Sequence, residues 1–361
     1  MRAWHAGVAA ESVRAARIDA AERVAALARE RAVDFMVLCG DTFEDNQVDR
    51  ALVERVVEVL ATARCPVFVV TGNHDPLVPG SVWEHERWTR SPGVRVLREE
   101  APLELMCGVT LWPCVARMRH DERDPTLWAK APRDGRAHVM LAHGTVESVH
   151  YDEPYYPIAR DAAERAAMDY VALGHFHGFS GYASADGAVR MAYCGTHEPT
   201  RFSERDPGQA LVVTVGSQGS PPEIERVVTG SLRWIELEEE IRAAGDLARV
   251  SERVEAMEHK DRTLLRLKLR GVLLADARAG LEALRERVGE GFLSGRVESA
   301  LRMAPTDGTW TRGLPPGPVR EAAERLARWA DGATDDRPEG VTADLAANAL
   351  AELYALASKG G

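Results

Sequence analysis

Apolar and polar positions fall along this chain in blocks of two kinds. Over residues 11–32, ESVRAARIDAAERVAALARERA, apolar side chains return every three to four positions among charges, the spacing of an amphipathic helix. The next block, DFMVLCG (34–40), is a short apolar run closed by glycine and reads as a buried strand. DRALVERVVEVLATA (49–63) returns to helical spacing, and PVFVVTG (66–72) is a second buried strand. Strand–helix–strand alternation predicts a parallel sheet with helices packed on it. VTLWP (109–113), AHVMLAHG (137–144) and DYVALGHFH (169–177) continue the series. Beyond residue 180 the pattern becomes strand-rich without long helices: AVRMAYCG, QALVVTVG, EIERVVTG and SLRWIELE. These runs predict hairpins and a sheet edge or second sheet.

A boundary falls near residues 230–245, which divides the chain into domains 1–235 and 236–361. The second part repeats a small α+β pattern. SERVEAMEH (251–259) and ADARAGLEALRERV (275–288) have helical spacing, while TLLRLKLRGVL (263–273) and FLSGRVESALRM (292–303) read as strands. PTDGTWTRGLPPGP (305–318) is a Pro- and Gly-rich loop, and helices are expected at about 317–330 and 342–358.

Composition narrows the class. No window approaches the roughly 18 uninterrupted apolar residues of a membrane span, and the charged N-terminus lacks the apolar core of a signal peptide. The five cysteines are odd in number and never spaced as C-x-x-C, which argues against a disulfide framework or a zinc–thiolate site and suits a cytoplasmic location. A net charge of −11 gives no overall basic balance for binding nucleic acid through charge alone.

The informative polar residues stand where the apolar runs end. Asp41 follows the first strand; Asn73, His74 and Asp75 follow the second; His143 closes AHVMLAH; His175 and His177 follow DYVALG. In an open α/β sheet such positions converge, because ligands collect at the carboxyl ends of the strands. Gly40, Gly72 and Gly174 precede three of these clusters and permit a sharp exit from the strand. In an extended GHFH segment, His175 and His177 would face the same way. Singly, each residue is as well explained by a turn or a helix cap; the four clusters together are not. Imidazole, carboxylate and amide oxygen without thiolate suit Mn, Fe or Zn in a mixed N/O environment.

Taken in order, GDTFEDN (40–46), GNHD (72–75), LAHG (141–144) and GHFH (174–177) resemble the motifs of the calcineurin-like metallophosphoesterases. Their order, the following YCGTHEPTRF (193–202) and the extra C-terminal domain look like the nuclease subunit of DNA double-strand-break repair exonucleases, the SbcD type. The resemblance covers residues 8–230, and the remainder only by architecture. It implies a sandwich of two β-sheets flanked by helices, with a small α+β capping domain. It also implies a dinuclear Mn centre in which water attacks a DNA phosphodiester. Asp41 would bridge the ions, Asn73, His143 and His175 would complete one site, and His177 would serve the other. His74 would do proton work, with Asp75 favouring its charged form. The implied partners are DNA and an SbcC-like ATPase, with a homodimer as the candidate assembly.

One motif of the family is absent. Its first strand ends in D-x-H or D-x-Q about forty residues before the G-D aspartate, and here that count reaches Met1. Either the chain starts downstream of the motif, the reading we favour, or Ala3-Trp4-His5-Ala6-Gly7 is its decayed form. His5 is not assigned as a ligand. Two other functions stay open: a phosphoesterase acting on nucleotides or other small molecules, and a catalytically impaired scaffold that binds a partner ATPase. Leu345, Leu350, Leu353 and Leu356 form an apolar stripe that could pack within its own domain or dock such a partner.

Overall fold

A computed structural model describes residues 8–147, 155–305 and 308–357. The chain forms two compact units that meet in sequence between Leu232 and Arg233. The stretch AWHAG (3–7), considered above as a decayed motif, lies outside the described residues.

In the N-terminal unit, helix α1 (Val8–Glu30) buries Val13, Ala16, Ala20, Ala25 and Ala28 along one stripe. It ends where Ala32 turns left-handed at φ 48°. Strand β1 (Met36–Cys39), helix α2 (Arg50–Ala61) and strand β2 (Val67–Val70) form the predicted strand–helix–strand unit, and β1 and β2 pair in parallel with Cys39 opposite Val70. After the short helix α3 (Glu86–Arg90), strand β3 (Val94–Val96) completes a three-stranded sheet in the order β1-β2-β3.

The remaining strands do not extend that sheet. They are β4 (Leu103–Glu104), β5 (Val109–Pro113), β6 (Ala137–His143), β9 (Tyr170–Gly174), β10 (Ser180–Ala183) and β11 (Val189–Tyr193), and they build a second sheet in the order β10-β11-β9-β6-β5-β4. Between β6 and β9 lie two short paired strands, β7 (Thr145–Val146) and β8 (Pro157–Ile158), and helix α4 (Ala162–Ala166). Strands β5, β6, β9 and β11 run parallel, with His143 opposite Gly174. Strands β12 (Gln209–Thr214) and β13 (Glu223–Val228) form the expected hairpin.

Three cores among the described residues hold this unit together. Phe68 and Val70 of the first sheet share one with Leu111, Val139, Leu141, Tyr170 and Ala172 of the second. The other face of the small sheet packs through Val67 and Val69 on α1 and α2, beside the Trp83–Trp88 pair. The other face of the large sheet packs through Met140, Val171 and Met191 on α4. The result is a two-sheet α/β sandwich flanked by helices, and alternate side chains of each strand serve opposite cores.

The C-terminal unit alternates strands and helices around a three-stranded parallel sheet. Strand β14 (Arg233–Ile241) pairs in parallel with β15 (Thr263–Leu274), and β15 with β16 (Ser294–Ala304). SLRWIELE therefore belongs with this sheet and not with the hairpins before it. Leu265, Leu267 and Leu269 bury one face against helices α5 (Ala244–Glu255) and α6 (Arg278–Gly291). On the other face Arg266 and Lys268 pair with Glu236, and Arg270 with Glu238. The basic run RLKLR is thus matched by acids on the adjacent strand. Helices α7 (Pro318–Ala330) and α8 (Ala343–Ala357) close the unit. The α8 leucines split: Leu350 is buried, while Leu345 and Leu356 are exposed.

Candidate metal centre

Four side chains meet at the carboxyl ends of strands from both sheets. Asp41 and Asn73 leave the neighbouring strands β1 and β2; His143 ends β6, and His175 follows β9. One ligand atom each from Asp41, His143 and His175 lies within 4.8 Å of the other two. Asn73 Oδ1 stands 2.9 Å from His143 Nε2 and 3.1 Å from His175 Nδ1. Asp41 Oδ2 is 3.2 Å from His143 Nε2.

Backbone packing makes this convergence possible. Gly40 adopts φ +80°, and a Cβ there would meet His143 Nδ1 at 2.3 Å. Gly72 and Gly174 are needed for close approach instead: a Cβ would fall 2.2 Å from Asp41 Oδ1 in one case and 1.6 Å from the Cys39 carbonyl oxygen in the other. Asp41 at φ 49° and His175 at φ 115° take backbone conformations that L-residues rarely adopt. The strand therefore ends at Gly174, and the extended geometry expected to align His175 with His177 is absent. Left-handed φ at His175 turns the chain away from strand alternation.

The protonation pattern fits a cation. His143 Nδ1 lies 2.8 Å from the Cys39 carbonyl oxygen, so this nitrogen carries a proton and donates it. Nε2 then faces the oxygens of Asp41 and Asn73, an arrangement that requires either a second proton or a positive ion between them. Burial works against charging His143, but the Asp41 carboxylate and the Cys39 carbonyl together raise its pKa. Burial likewise opposes ionisation of Asp41, yet the His143 hydrogen bond and the His74 amide hold its carboxyl below the usual range. Burial, reinforced by His143, pushes His175 down to about 4, which leaves it neutral, as a ligand must be. Donor separations near 3 Å match the edges of a coordination shell with ligands at about 2.0–2.2 Å. A carboxylate, an amide oxygen and two imidazoles therefore fit a divalent ion of the Mn, Fe or Zn type.

Residues 4–179 match the family model described as calcineurin-like phosphoesterase. This segment is thus similar to the calcineurin-like metallophosphoesterases. Over 154 residues the chain is 27% identical to the uncharacterized metallophosphoesterase YhaO of Bacillus subtilis, covering 40% of this chain and 37% of YhaO. Over 288 residues it is 28% identical to the DNA double-strand break repair protein Mre11 of Haloferax volcanii, covering 78% of this chain and 61% of Mre11. It thus spans less than two thirds of either relative. Among solved structures, TT1561 of Thermus thermophilus superposes with a TM-score of 0.41 at 13% identity, over 59% of this chain and 94% of that one.

The other residues singled out in the sequence fall outside the four-donor cluster. His74 gives its backbone N–H to Asp41 Oδ1, and its Nδ1 lies 3.0 Å from the Glu44 carbonyl oxygen. Asp75 does not reach the His74 ring, contrary to the expectation that it favours the charged imidazole. Its carboxylate accepts backbone N–H groups of Gly72, Asp41 and Phe43 at 2.7–3.2 Å and ties the two ligand loops together. Burial pushes this carboxyl up to about 7 despite those bonds. Adjacent residues on a tight loop point in different directions, so neighbours in sequence need not touch. His177 faces a separate group: its Nδ1 is 2.6 Å from Glu204 Oε1 and 3.0 Å from Thr200 Oγ1. The sequence reading did not single out Thr200, Arg201 or Glu204. Their only signal was their place in and just after YCGTHEPTRF, which carries no periodicity of its own.

Proposed function

We propose that this chain is a metal-dependent phosphodiesterase acting on DNA, with Mn²⁺ as the working ion and water as the nucleophile. The observation that carries the reading is the convergence of Asp41, Asn73, His143 and His175 on one point. A divalent ion held there would supply charge to polarise a phosphate oxygen and to lower the pKa of a bound water. The chain's own groups divide the remaining work. Cys39 fixes the proton on Nδ1 of His143, so Nε2 presents its lone pair to the centre. Asp75 holds the Asp41 and Asn73 loops in register through backbone amides. His74, whose Nδ1 meets the Glu44 carbonyl, keeps Nε2 for a proton at the substrate. DNA as substrate is supported by the similarity to the repair protein Mre11; an ATPase partner and a homodimer belong to the same proposal.

The test is Mn²⁺-dependent release of nucleotides from linear DNA by the full-length protein, compared with hydrolysis of bis(p-nitrophenyl) phosphate. Loss of both activities in Asp41→Ala and His143→Ala is expected, with DNA the better wild-type substrate. Unchanged rates in the variants would sink the assignment. Faster turnover of the small ester would move the substrate class to small phosphodiesters.

A further inference from the structure

Outside the four-donor cluster, a second group gathers around His177. Arg201 Nη2 lies 3.1 Å from both ring nitrogens of His177. An amino group equidistant from both nitrogens rests against the ring and is not directed at one lone pair. The guanidinium is held from behind by Glu204, whose Oε1 is 3.4 Å from Arg201 Nε. Glu204 is itself fixed: its side chain is 3% exposed, and Oε2 accepts the Thr200 backbone N–H at 2.7 Å. The Arg201 side chain is 61% exposed, and Nη1 makes no hydrogen bond among the described residues. A buried acid thus orients an open cationic fork against His177, which lies two residues along the chain from the ligand His175.

A buried donor without a partner is tied to the same segment. Nε of Arg17 on α1 is buried without a partner among the described residues. The Arg17 backbone carbonyl is tied to the 197–204 segment by His197 Nε2 at 2.9 Å. Buried guanidinium donors without acceptors are uncommon enough to need an explanation. A protein of net charge −11 also needs local cations wherever an anionic substrate docks.

We propose that Arg201 is a phosphate-binding residue that takes a non-bridging oxygen of the substrate beside the four-donor centre, with Glu204 as its positioning residue. The inference rests on the phosphodiesterase reading and deepens it. Arg201→Gln should raise KM for DNA and the inhibition constant of inorganic phosphate about 10-fold or more, the effect of losing a charge-assisted hydrogen bond. The change in kcat should be smaller. Arg201→Lys should recover part of the loss, since it keeps the charge but not the fork. Mn²⁺ uptake by calorimetry should match wild type in both variants. Arg201→Gln with KM and phosphate inhibition within about twofold of wild type would overturn the proposal. So would loss of Mn²⁺ uptake in both Arg201 variants, which would mark a purely structural role. A wild-type protein that takes up no Mn²⁺ would instead sink the phosphodiesterase reading itself.

Discussion

His143 donates from Nδ1 to the carbonyl oxygen of Cys39 at 2.8 Å, across 104 positions of sequence. The bond joins the last residue of β1 in one sheet to the last residue of β6 in the other. It also leaves Nε2 to face Asp41 and Asn73. On the proposed assignment, removing Asp41 or His143 takes away a direct ligand. Mn²⁺ affinity of Asp41→Asn and His143→Ala should fall by more than the roughly 10- to 100-fold typical of losing an outer partner. Calorimetric titration of metal into each variant checks this, and wild-type affinity in either would contradict the assigned ligand set.

Gly174 makes the same junction possible from the backbone side. The Cβ of an alanine there would sit 1.6 Å from the Cys39 carbonyl oxygen, so the strands would have to separate. Gly174→Ala should destabilise the protein by about 1–3 kcal/mol or more, the scale of overpacking a rigid interior. It should also weaken metal uptake, because His143 and His175 flank the displaced strand. Urea unfolding and metal titration on one sample measure both effects; Gly93→Ala, where nothing lies within 4 Å of the added Cβ, is the control.

Glu198 is a fully buried acid that holds the end of the N-terminal unit. It accepts the backbone N–H groups of Ser231 and Leu232 at 2.7–3.0 Å and lies 3.3 Å from Arg23 Nη2. Glu198→Ala should cost roughly 1–3 kcal/mol for each buried donor left unsatisfied. Glu198→Gln should cost less, since one amide oxygen still accepts. Chemical denaturation distinguishes the two, and equal stability of Glu198→Ala and wild type would refute the clasp.

His197 gives the fold an acid-sensitive contact. Burial lowers its pKa below 6.5, with Arg17 and Arg23 adding to the effect against the carbonyl bond to Arg17. The folded state therefore resists a proton that the unfolded state accepts. Stability falls as pH drops below 6.5 and stops falling once pH passes below the folded-state pKa. His197→Gln keeps a donor for the Arg17 carbonyl without the titration. Its unfolding free energy should change less than that of wild type between about pH 7 and pH 5. Parallel pH profiles would show that His197 does not contribute.

In the C-terminal unit Leu267 is fully buried on the central strand of the parallel sheet, facing α5 and α6. Leu267→Ala should cost about 2–5 kcal/mol through lost burial and the cavity left behind. Hydrogen exchange should rise first across β14, β15 and β16. Unchanged protection there would show that this side chain is not central to the core.

Much of the element order was legible because it depends on local spacing. The apolar runs at 109–113 and 137–143 coincide with β5 and β6, and the Ala-rich stripe with α1. The parallel pairing of β1 with β2 follows from the helix between them. Less legible was the backbone beyond β9: DYVALGHFH carries no mark of the positive φ at His175, which ends the alternation expected to align His175 with His177. The stripe of α8 leucines read as one face, yet Leu350 is buried and Leu345 exposed.

The same division applies to the centre. That Asp41, Asn73, His143 and His175 stand at strand ends follows from the residues themselves, since an apolar run followed by glycine and a polar group declares its own terminus. That the four meet was decided by two sheets packing through Phe68, Val70, Leu141 and Ala172, which brings together groups about a hundred positions apart. The tertiary structure also turned Asp75 toward backbone amides and gave His177 the company of Glu204 and Arg201. Side-chain partners depend on loop curvature and on register between distant strands, and neither leaves a periodic trace along the chain.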